Sequence, residues 1–143
     1  MKSILSRITD TQINTNSLGF ALLFFRIFSA FALLRTHGLP KLFDFQGTLQ
    51  HIPDPMGLGS TFSAYYAVFA NVICAGFIVL GLFTRVAALA VLSITLSGLF
   101  IVHIADPAKV QDVPLMYSIV FGTIAYLGAG KYSLDDQLFK SKG

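Results

Sequence analysis

Four long apolar segments divide the chain, and polar residues, glycine or proline bound each of them. The segments cover residues 18–34, 62–83, 86–105 and 113–130. A helix needs about 20 apolar residues to cross a bilayer, and these continuous runs lack the alternation of membrane β-strands. Because hydrocarbon tolerates only helices and closed barrels, the pattern predicts four transmembrane helices.

The connections between the segments predict how the helices are arranged. Thr84 and Arg85 alone separate the second and third segments, and a short turn separates the third and fourth. Short connections favour antiparallel neighbours. Residues 43–52 form an amphipathic stretch before several prolines and glycines. We therefore predict an all-α, integral membrane, antiparallel four-helix bundle with a short interfacial helix between helices 1 and 2.

The distribution of polar residues predicts one membrane domain with two polar ends. Residues 1–17 form a polar N-terminal segment, residues 18–136 a single four-helix transmembrane domain, and residues 137–143 a polar C-terminal tail. Residues 1–17 lack the short apolar run and cleavage site of a secretory signal, so we expect helix 1 to be retained.

Composition agrees with a membrane protein and excludes several other functions. Hydrophobic residues make up 55% of the chain and charged residues 12%, which is about half the charged fraction of soluble domains. The single cysteine, Cys74, cannot form an intrachain disulfide, which excludes a self-contained thiol oxidoreductase. The net charge of +3 is too small and too scattered to indicate a nucleic acid partner.

The positions of lysine and arginine predict the orientation of the bundle. The side that carries both termini has Lys2, Arg7, Arg85, Lys131, Lys140 and Lys142, and the other side has Arg35, Lys41 and Lys109. Positive residues are enriched in cytoplasmic loops. We therefore predict a multi-pass protein of the cell membrane with both termini in the cytoplasm.

Two polar residues inside the predicted spans are candidates for function. Arg26 lies near the middle of helix 1, where an arginine costs about 2.5–3.5 kcal/mol, so it must face the bundle or a wet cavity. Asn71 is expected at a similar depth in helix 2, beside Arg26. Arg26 is either an anchor for the polar head of a ligand or a structural residue held by backbone carbonyls. Asn71 either joins this site or forms an interhelical hydrogen bond.

A second polar cluster is predicted at the outer ends of helices 1, 3 and 4. His37 and Lys41 are four residues apart, and His103, Asp106 and Asp112 lie around the turn between helices 3 and 4. These donors and acceptors predict the mouth of a ligand site, with Asp112 favouring protonated histidine. The alternative is a pair of hydrogen-bonded interfacial histidines. The spacing matches no metal motif, so we predict no metal site.

The opposite membrane face carries two charged residues for which we predict a structural role. Arg85 lies in the hairpin between helices 2 and 3, and Asp135 lies in the tail after helix 4. We predict that Arg85 and Asp135 form a structural ion pair that holds the tail against the hairpin.

Several short motifs give the chain a resemblance to a known family. They are Arg26 within FRI, HGLPKL at residues 37–42, GLFTR at residues 81–85, His103, and GAGKYSLD at residues 128–135. In this order, over about residues 18–136, they resemble the DoxX-like family of small four-helix integral membrane proteins. The family often has glutamate where this chain has Asn71 and Asp112, so no proton-carrying role is expected at position 71.

The resemblance implies a role in redox metabolism, since some members are subunits of a membrane quinone reductase and others are associated with oxidative stress. The first hypothesis is therefore a membrane subunit that binds a quinone or similar amphipathic ligand at Arg26, His37, Lys41, Asn71, His103 and Asp112. We do not expect catalysis by this chain alone, because it supplies no redox centre of its own. The alternatives are a non-catalytic membrane anchor, assembly or partner-binding protein, and a small-solute permease. The expected partners are the lipid bilayer and either another protein or a second copy of the chain.

Overall fold

The computed structural model describes residues 13–140, and the regular structure in this range is helical. The helices are α1 (Thr15–Phe43), α2 (Phe45–His51), α3 (Ser60–Leu80), α4 (Thr84–Val102), α5 (Ala108–Leu127) and α6 (Leu134–Phe139). Helices α1, α3, α4 and α5 are long and apolar enough to cross a membrane. The predicted all-helical membrane fold with four spans is confirmed, and α2 is the short helix predicted between the first two spans. Lys2, Arg7 and Lys142, on which the predicted orientation partly depends, lie outside the described residues.

The two ends of the bundle differ in the segments that they carry. We call the end where α3 and α5 finish the tail end; it carries residues 81–83 and 128–140. We call the opposite end the loop end; it carries residues 44–59 and 103–107. Both predicted candidate sites are described below in terms of these two ends.

Small residues allow the four spans to approach one another closely. Alanines from several helices are fully buried in the core, which also contains Leu33, Ile78, Phe121 and Ile124. Small side chains permit close backbone contact between membrane helices. Large apolar side chains such as Phe24 and Phe28 lie on the outer surface, where lipid would surround them. The buried polar residues, including Arg26 and Asn71, are therefore exceptions in an apolar core.

Three of the four spans contain a short π-helical segment. The segments are Leu34–Gly38 in α1, Phe69–Cys74 in α3 and Gly98–Val102 in α4. The fourth span, α5, contains Pro114 in its interior, and proline cannot donate a backbone hydrogen bond. Short π-helical segments are rare and often occur at functional sites.

The π-helical segment of α1 also explains why this helix is longer than its apolar run. The run ends at position 34, but the helix continues to Phe43. Pro40 lies two residues after the segment Leu34–Gly38, where the backbone hydrogen-bond pattern has already changed. The missing N–H of the proline is accommodated there without ending the helix.

Candidate functional site

Arg26 is buried at the tail end of the bundle, with 2% of its surface exposed. Its Nη1 donates a hydrogen bond of 3.3 Å to the carbonyl oxygen of Ile78 in the last turn of α3, and its Nη2 donates to the carbonyl oxygen of Tyr132. The last carbonyls of a helix carry partial negative charge, which favours a cation. Arg26 therefore connects α1 to the end of α3 and to the segment after α5.

The prediction that Arg26 lies beside Asn71 is wrong. Arg26 binds Ile78, which is seven residues beyond Asn71, or about 10 Å along a helix. The Arg26 guanidinium also lies against Gly81, three residues further on. The prediction placed both residues at one depth in the membrane because each is about ten residues into its apolar segment. Which residues of two helices face each other depends instead on how the helices pack along their length. The observed contacts agree with the second interpretation of Arg26, in which backbone carbonyls hold the charge.

Asp135 fixes the tail to the connection between α3 and α4. Its carboxylate accepts hydrogen bonds from the backbone N–H groups of Phe83 (2.7 Å) and Thr84 (3.0 Å), and its own N–H donates to Gly81 (2.8 Å). The first N–H groups of a helix lack partners within the helix. The Asp135 carboxylate therefore caps α4 and anchors the tail.

The predicted ion pair between Arg85 and Asp135 is wrong. Within residues 13–140, the ion pairs are His103 with Asp106 and Lys140 with Asp136, while the Arg85 side chain lies over Gly128. The physical reason is that unpaired N–H groups at the start of α4 hold the Asp135 carboxylate.

Gly81 makes the close packing at the tail end possible. It ends α3 in the left-handed region, with a φ of 70°, which favours glycine. A side-chain Cβ at this position would collide with the Arg26 guanidinium and would lie 2.6 Å from the Cβ of Ser133. The GLFTR and GAGKYSLD motifs therefore form one packed unit around Arg26.

A cavity of about 760 Å³ lies at the loop end, between all four spans and the segment that follows α2. Much of its wall is apolar, with contributions from Leu33, Met56 and Phe62. The larger polar side chains that line it are His37, Lys41, Tyr66, Asn71, His103 and Tyr117, with several hydroxyls from α4. An apolar cavity of several hundred cubic ångströms with a few polar groups is typical of small-molecule sites.

The cavity brings together four of the six residues that the sequence predicted for ligand binding. His37, Lys41, Asn71 and His103 line it. Arg26 is at the tail end, and Asp112 lies on the exposed surface of α5, outside the cavity wall. The polar cluster at the loop end therefore includes Asn71, which the sequence had grouped with Arg26.

The acidic neighbour of His103 is Asp106, and the prediction that it is Asp112 is wrong. The Nδ1 atom of His103 lies 2.7 Å from Oδ2 of Asp106, across the turn between α4 and α5. Gln111 Nε2 lies 2.9 Å from the carbonyl oxygens of both residues and so fixes this turn. The spacing of three residues between His103 and Asp106 was the sequence signal for this contact.

The irregular segments of the four spans meet at this cavity. His37, Asn71 and Gly98 come from the three π-helical segments, and Pro114 from α5 also lines the wall. At Gly38, an added Cβ would lie 2.5 Å from the carbonyl oxygen of Asn71. Helices α1 and α3 are therefore in backbone contact beside the cavity, which only glycine allows.

Several polar groups around the cavity have protein partners. Tyr66 Oη lies 2.8 Å from Ser93 Oγ, and Tyr117 Oη lies 3.2 Å from Thr36 Oγ1. Lys41 Nζ donates to the carbonyl oxygen of His37 at 2.9 Å. An ammonium group has three donors, so Lys41 retains donors for a further partner.

Asn71 differs from these neighbours. The residue is 3% exposed and lines the cavity, and within residues 13–140 its side-chain amide forms no hydrogen bond. The fully buried side-chain atoms without a partner in this range are Arg26 Nε and Thr84 Oγ1 at the tail end, so the Asn71 amide faces the space of the cavity. Buried polar side chains in native proteins are nearly always hydrogen-bonded, and an exception points to a bound water, ion or ligand. Asn71 is therefore the residue that most directly marks this cavity as a binding site.

Residues 52–58 cover the cavity, and we call this segment the lid. Asp54 in the lid accepts hydrogen bonds from the N–H groups of Gly59 (2.7 Å) and Leu58 (3.1 Å) and from the hydroxyl of Ser63 (3.0 Å). These hydrogen bonds, that of Gly59 above all, lower the pKa of the Asp54 carboxyl. The charged carboxylate therefore holds the lid against the first turn of α3 at neutral pH.

Sequence reasoning missed the lid, Asp54 and the two tyrosines that line the cavity. Tyr66 and Tyr117 lie near helix ends, where tyrosines are common at the membrane interface, and nothing in their spacing indicates a shared cavity. Among the described residues, no group of three or more His, Cys, Asp or Glu side chains is placed to hold a metal ion.

A comparison with protein family models matches residues 21–104 to the family described as DoxX. The matched range is more than half of the chain and includes Arg26, the HGLPKL segment and the GLFTR motif, while the GAGKYSLD motif follows it. No curated protein and no solved structure matches the chain.

Proposed function

The chain belongs to the DoxX family, and on that basis we propose that it is a membrane protein whose loop-end cavity binds an amphipathic small molecule such as a quinone. The observation that carries this proposal is the buried Asn71 amide, which lines the cavity without a partner among residues 13–140. A ligand with an acceptor oxygen gives this amide a hydrogen-bond partner that the described residues do not supply.

The chemistry of a quinone suits the donors and apolar surfaces of this cavity. Its carbonyl oxygens need hydrogen-bond donors, which the Asn71 amide and the Lys41 ammonium supply. Its ring and tail need apolar contacts, which Met56 and Phe62 offer. Electron transfer requires a redox centre, which these side chains do not provide. We therefore propose a quinone-binding subunit that works with a partner carrying that centre.

Photoreactive labelling tests this proposal. The protein is reconstituted in lipid nanodiscs with an azido-quinone that carries a short alkyl tail, and labelled peptides are mapped by mass spectrometry. We expect labels on the lid and on the cavity-lining parts of α3 and α4. Asn71→Leu should reduce the labelling about tenfold, since the deleted amide hydrogen bond and packing change together contribute about 1.5 kcal/mol.

Thr123→Val is the matched control for Asn71→Leu. Thr123 is exposed on α5, and its hydroxyl donates to the carbonyl of Ile119 in the same helix at 2.7 Å. This variant should label like the wild type. Labels spread over the lipid-facing surface, or equal labelling of Asn71→Leu and wild type, would contradict quinone binding in the cavity.

A groove at the tail end favours a second function, that of a non-catalytic anchor for a partner protein. The groove has a volume of about 720 Å³, and Arg85, Lys131 and Lys140 line it beside the exposed Phe83 and Phe139. Arginine and aromatic side chains are enriched at protein interfaces, whereas lysines are typical of their rims. Loss of a co-purifying protein in Arg85→Ala, with quinone labelling unchanged, would support this function.

We also propose that the tail end faces the cytoplasm. The excess of positive residues on that side comes from Lys2, Arg7 and Lys142, which lie outside the described residues. Single cysteines at Lys109 and Lys140, introduced into Cys74→Ala, test the orientation in intact cells. A membrane-impermeant maleimide should label position 109 and not position 140, and the opposite pattern would invert the bundle.

A further inference from the structure

We propose that the cavity selects amphipathic ligands with an anionic head group over neutral or cationic ones of the same length. This inference rests on the part of the proposed function that places an amphipathic ligand in the cavity; it names the head group that the cavity prefers, and a quinone counts among the neutral head groups. One lysine and two histidines are the basic side chains that line the cavity.

The ionisable side chains that line the cavity carry either positive charge or none. Lys41, His37 and His103 belong to its wall, and no aspartate or glutamate does. A cationic head group would therefore find no carboxylate to pair with. An anionic head group would find an ammonium in a largely apolar surrounding, where the low dielectric strengthens the attraction.

The two carboxylates beside the cavity, Asp54 and Asp106, do not line it, although their partners Leu58, Ser63 and His103 do. Asp54 accepts hydrogen bonds from the backbone of Leu58 and Gly59 and from Ser63. Asp106 binds Nδ1 of His103. Neither carboxylate lines the cavity, so both charges are held in the lid and in the turn between α4 and α5.

Lys41 and Asn71 are both hydrogen-bond donors on the cavity wall. Gly38 contacts the backbone of Asn71, and the Lys41 ammonium donates to the carbonyl oxygen of His37, the residue before Gly38. Lys41 is half-buried, and an ammonium group has three donors, so two remain for a ligand. A head group with two acceptor oxygens is therefore offered a donor by each of these two residues.

The expected ligand has an anionic oxygen group attached to an apolar tail. Both a long-chain carboxylate and a phospholipid with an exposed phosphate fit this description. The lid and α1 supply the apolar surfaces through Pro53, Met56, Leu58 and Leu33. The experiment therefore compares head groups on one chain and then compares a single-chain ligand with a diacyl phosphatidate.

The test uses three photoreactive decyl chains that differ only in their carboxylate, alcohol or ammonium head group. Each is incubated with the full-length protein in zwitterionic nanodiscs, and labelling of cavity peptides is corrected for partition into empty nanodiscs. We expect half-maximal labelling by the carboxylate at about a tenfold lower concentration than by the alcohol, because its hydrogen bond from Lys41 is charge-assisted. The ammonium should label least.

Lys41→Met should remove the preference for the carboxylate, and Lys41→Arg should restore most of it. Lys109→Met is the matched control, because Lys109 is an exposed lysine at the same end of the bundle and outside the cavity wall. This variant should keep the preference. A phosphatidate that labels the cavity better than the carboxylate identifies lipid phosphate as the source of the anionic group.

Several outcomes would overturn the inference. Equal labelling by the three head groups would do so, as would an equal loss of preference in Lys109→Met and Lys41→Met. If the azido-quinone labels the cavity and the head groups are not distinguished, charge selection fails and the proposed quinone binding survives. If the carboxylate labels the cavity and the azido-quinone does not, quinone binding fails and charge selection survives.

Discussion

The two ends of the bundle differ in what their buried polar side chains contact, although Arg26 Nε and Thr84 Oγ1 at the tail end also lack a partner within residues 13–140. At the tail end, Arg26 donates to the carbonyls of Ile78 and Tyr132, and Asp135 accepts from the first N–H groups of α4. At the loop end, the Asn71 amide has no partner within residues 13–140, and the backbone of three spans departs from the regular α-helix around a cavity.

This difference separates buried polar side chains that hold helices together from those that face a binding site. A polar side chain that binds backbone groups of two or more elements holds those elements together. A polar side chain that lines a cavity without a partner gains its hydrogen bonds only when something else binds. Substitutions at the tail end should therefore lower stability, whereas substitutions at the cavity should change binding more than stability.

Arg26→Leu should produce the largest loss of stability. It removes the charged hydrogen bonds to the carbonyls of Ile78 and Tyr132, at a cost of about 1.5–3 kcal/mol for a hydrogen bond to a charged group; the Ile78 carbonyl keeps the N–H of Gly81 as a donor. Thermal unfolding in detergent can be followed with a thiol-reactive dye, because Cys74 is the one cysteine and is buried. The control is Arg35→Leu, which removes an exposed arginine from α1. Equal unfolding temperatures for the two variants would show that Arg26 does not hold the tail end.

Gly81→Ala should have the next largest effect. A residue other than glycine in the left-handed region costs about 1–3 kcal/mol, and the added Cβ also collides with Arg26. Gly76→Ala is the matched control in α3, since a Cβ there has no neighbour within 4 Å. It should be neutral or should stabilise the helix by up to about 1 kcal/mol. The same assay measures both variants, and a loss of stability in Gly76→Ala as large as that in Gly81→Ala would contradict the packing described.

Asp135→Ala should cost less, about 0.5–2 kcal/mol, because it removes the cap of α4. Hydrogen exchange should increase at the backbone N–H groups of Phe83 and Thr84, which lose their acceptor. Asp136→Ala is the control, since the Asp136 carboxylate makes an ion pair of 3.4 Å with Lys140 at the surface. Unchanged exchange at Phe83 and Thr84 in Asp135→Ala would remove Asp135 from the anchoring of the tail.

The smallest expected effect on overall stability lies at the loop end, in the lid. Hydrogen bonds lower the pKa of the Asp54 carboxyl, so its contribution is fully present above the ordinary aspartate pKa of about 3.9 and is lost as the pH falls through the lowered pKa. Hydrogen exchange in the lid should therefore show no lid opening between about pH 5 and 8 once corrected for the intrinsic rate. Asp54→Ala should open the lid throughout this range, with little change in unfolding temperature. Protection that the variant retains would show that other contacts hold the lid.

Much of the fold follows from the sequence, because membrane spans depend on local composition. The four apolar runs predict the four spans, and the amphipathic stretch after the first run predicts α2, which the structure places at Phe45–His51. The continuation of α1 to Phe43 was missed, because Arg35 and His37 end the apolar run without ending the helix. Hydrophobicity reports the lipid environment, whereas the end of a helix depends on backbone hydrogen bonds.

The candidate site was less predictable, because its contacts are distant in the sequence. The partners of Arg26 are 52 and 106 residues away, and both are backbone carbonyls that no residue type reveals. Asp135 was matched with Arg85 by opposite charge, but it prefers unpaired N–H groups at a helix start. The sequence did place His37, Lys41 and His103 at one membrane face, and they line the same cavity. Residues at the same ends of neighbouring spans must lie at the same face of the membrane.

The Arg26 guanidinium binds main-chain carbonyl oxygens. The positions that supply these oxygens can therefore change in evolution, whereas the position that supplies the guanidinium cannot. Every residue at positions 78 and 132 offers a carbonyl oxygen, so substitutions there leave the acceptors in place. A lysine at position 26 presents a single ammonium at the end of a flexible chain and cannot replace the planar fork that serves both acceptors. Among divergent relatives, an arginine at position 26 should therefore persist together with a glycine at position 81, while the residues that supply the carbonyls vary.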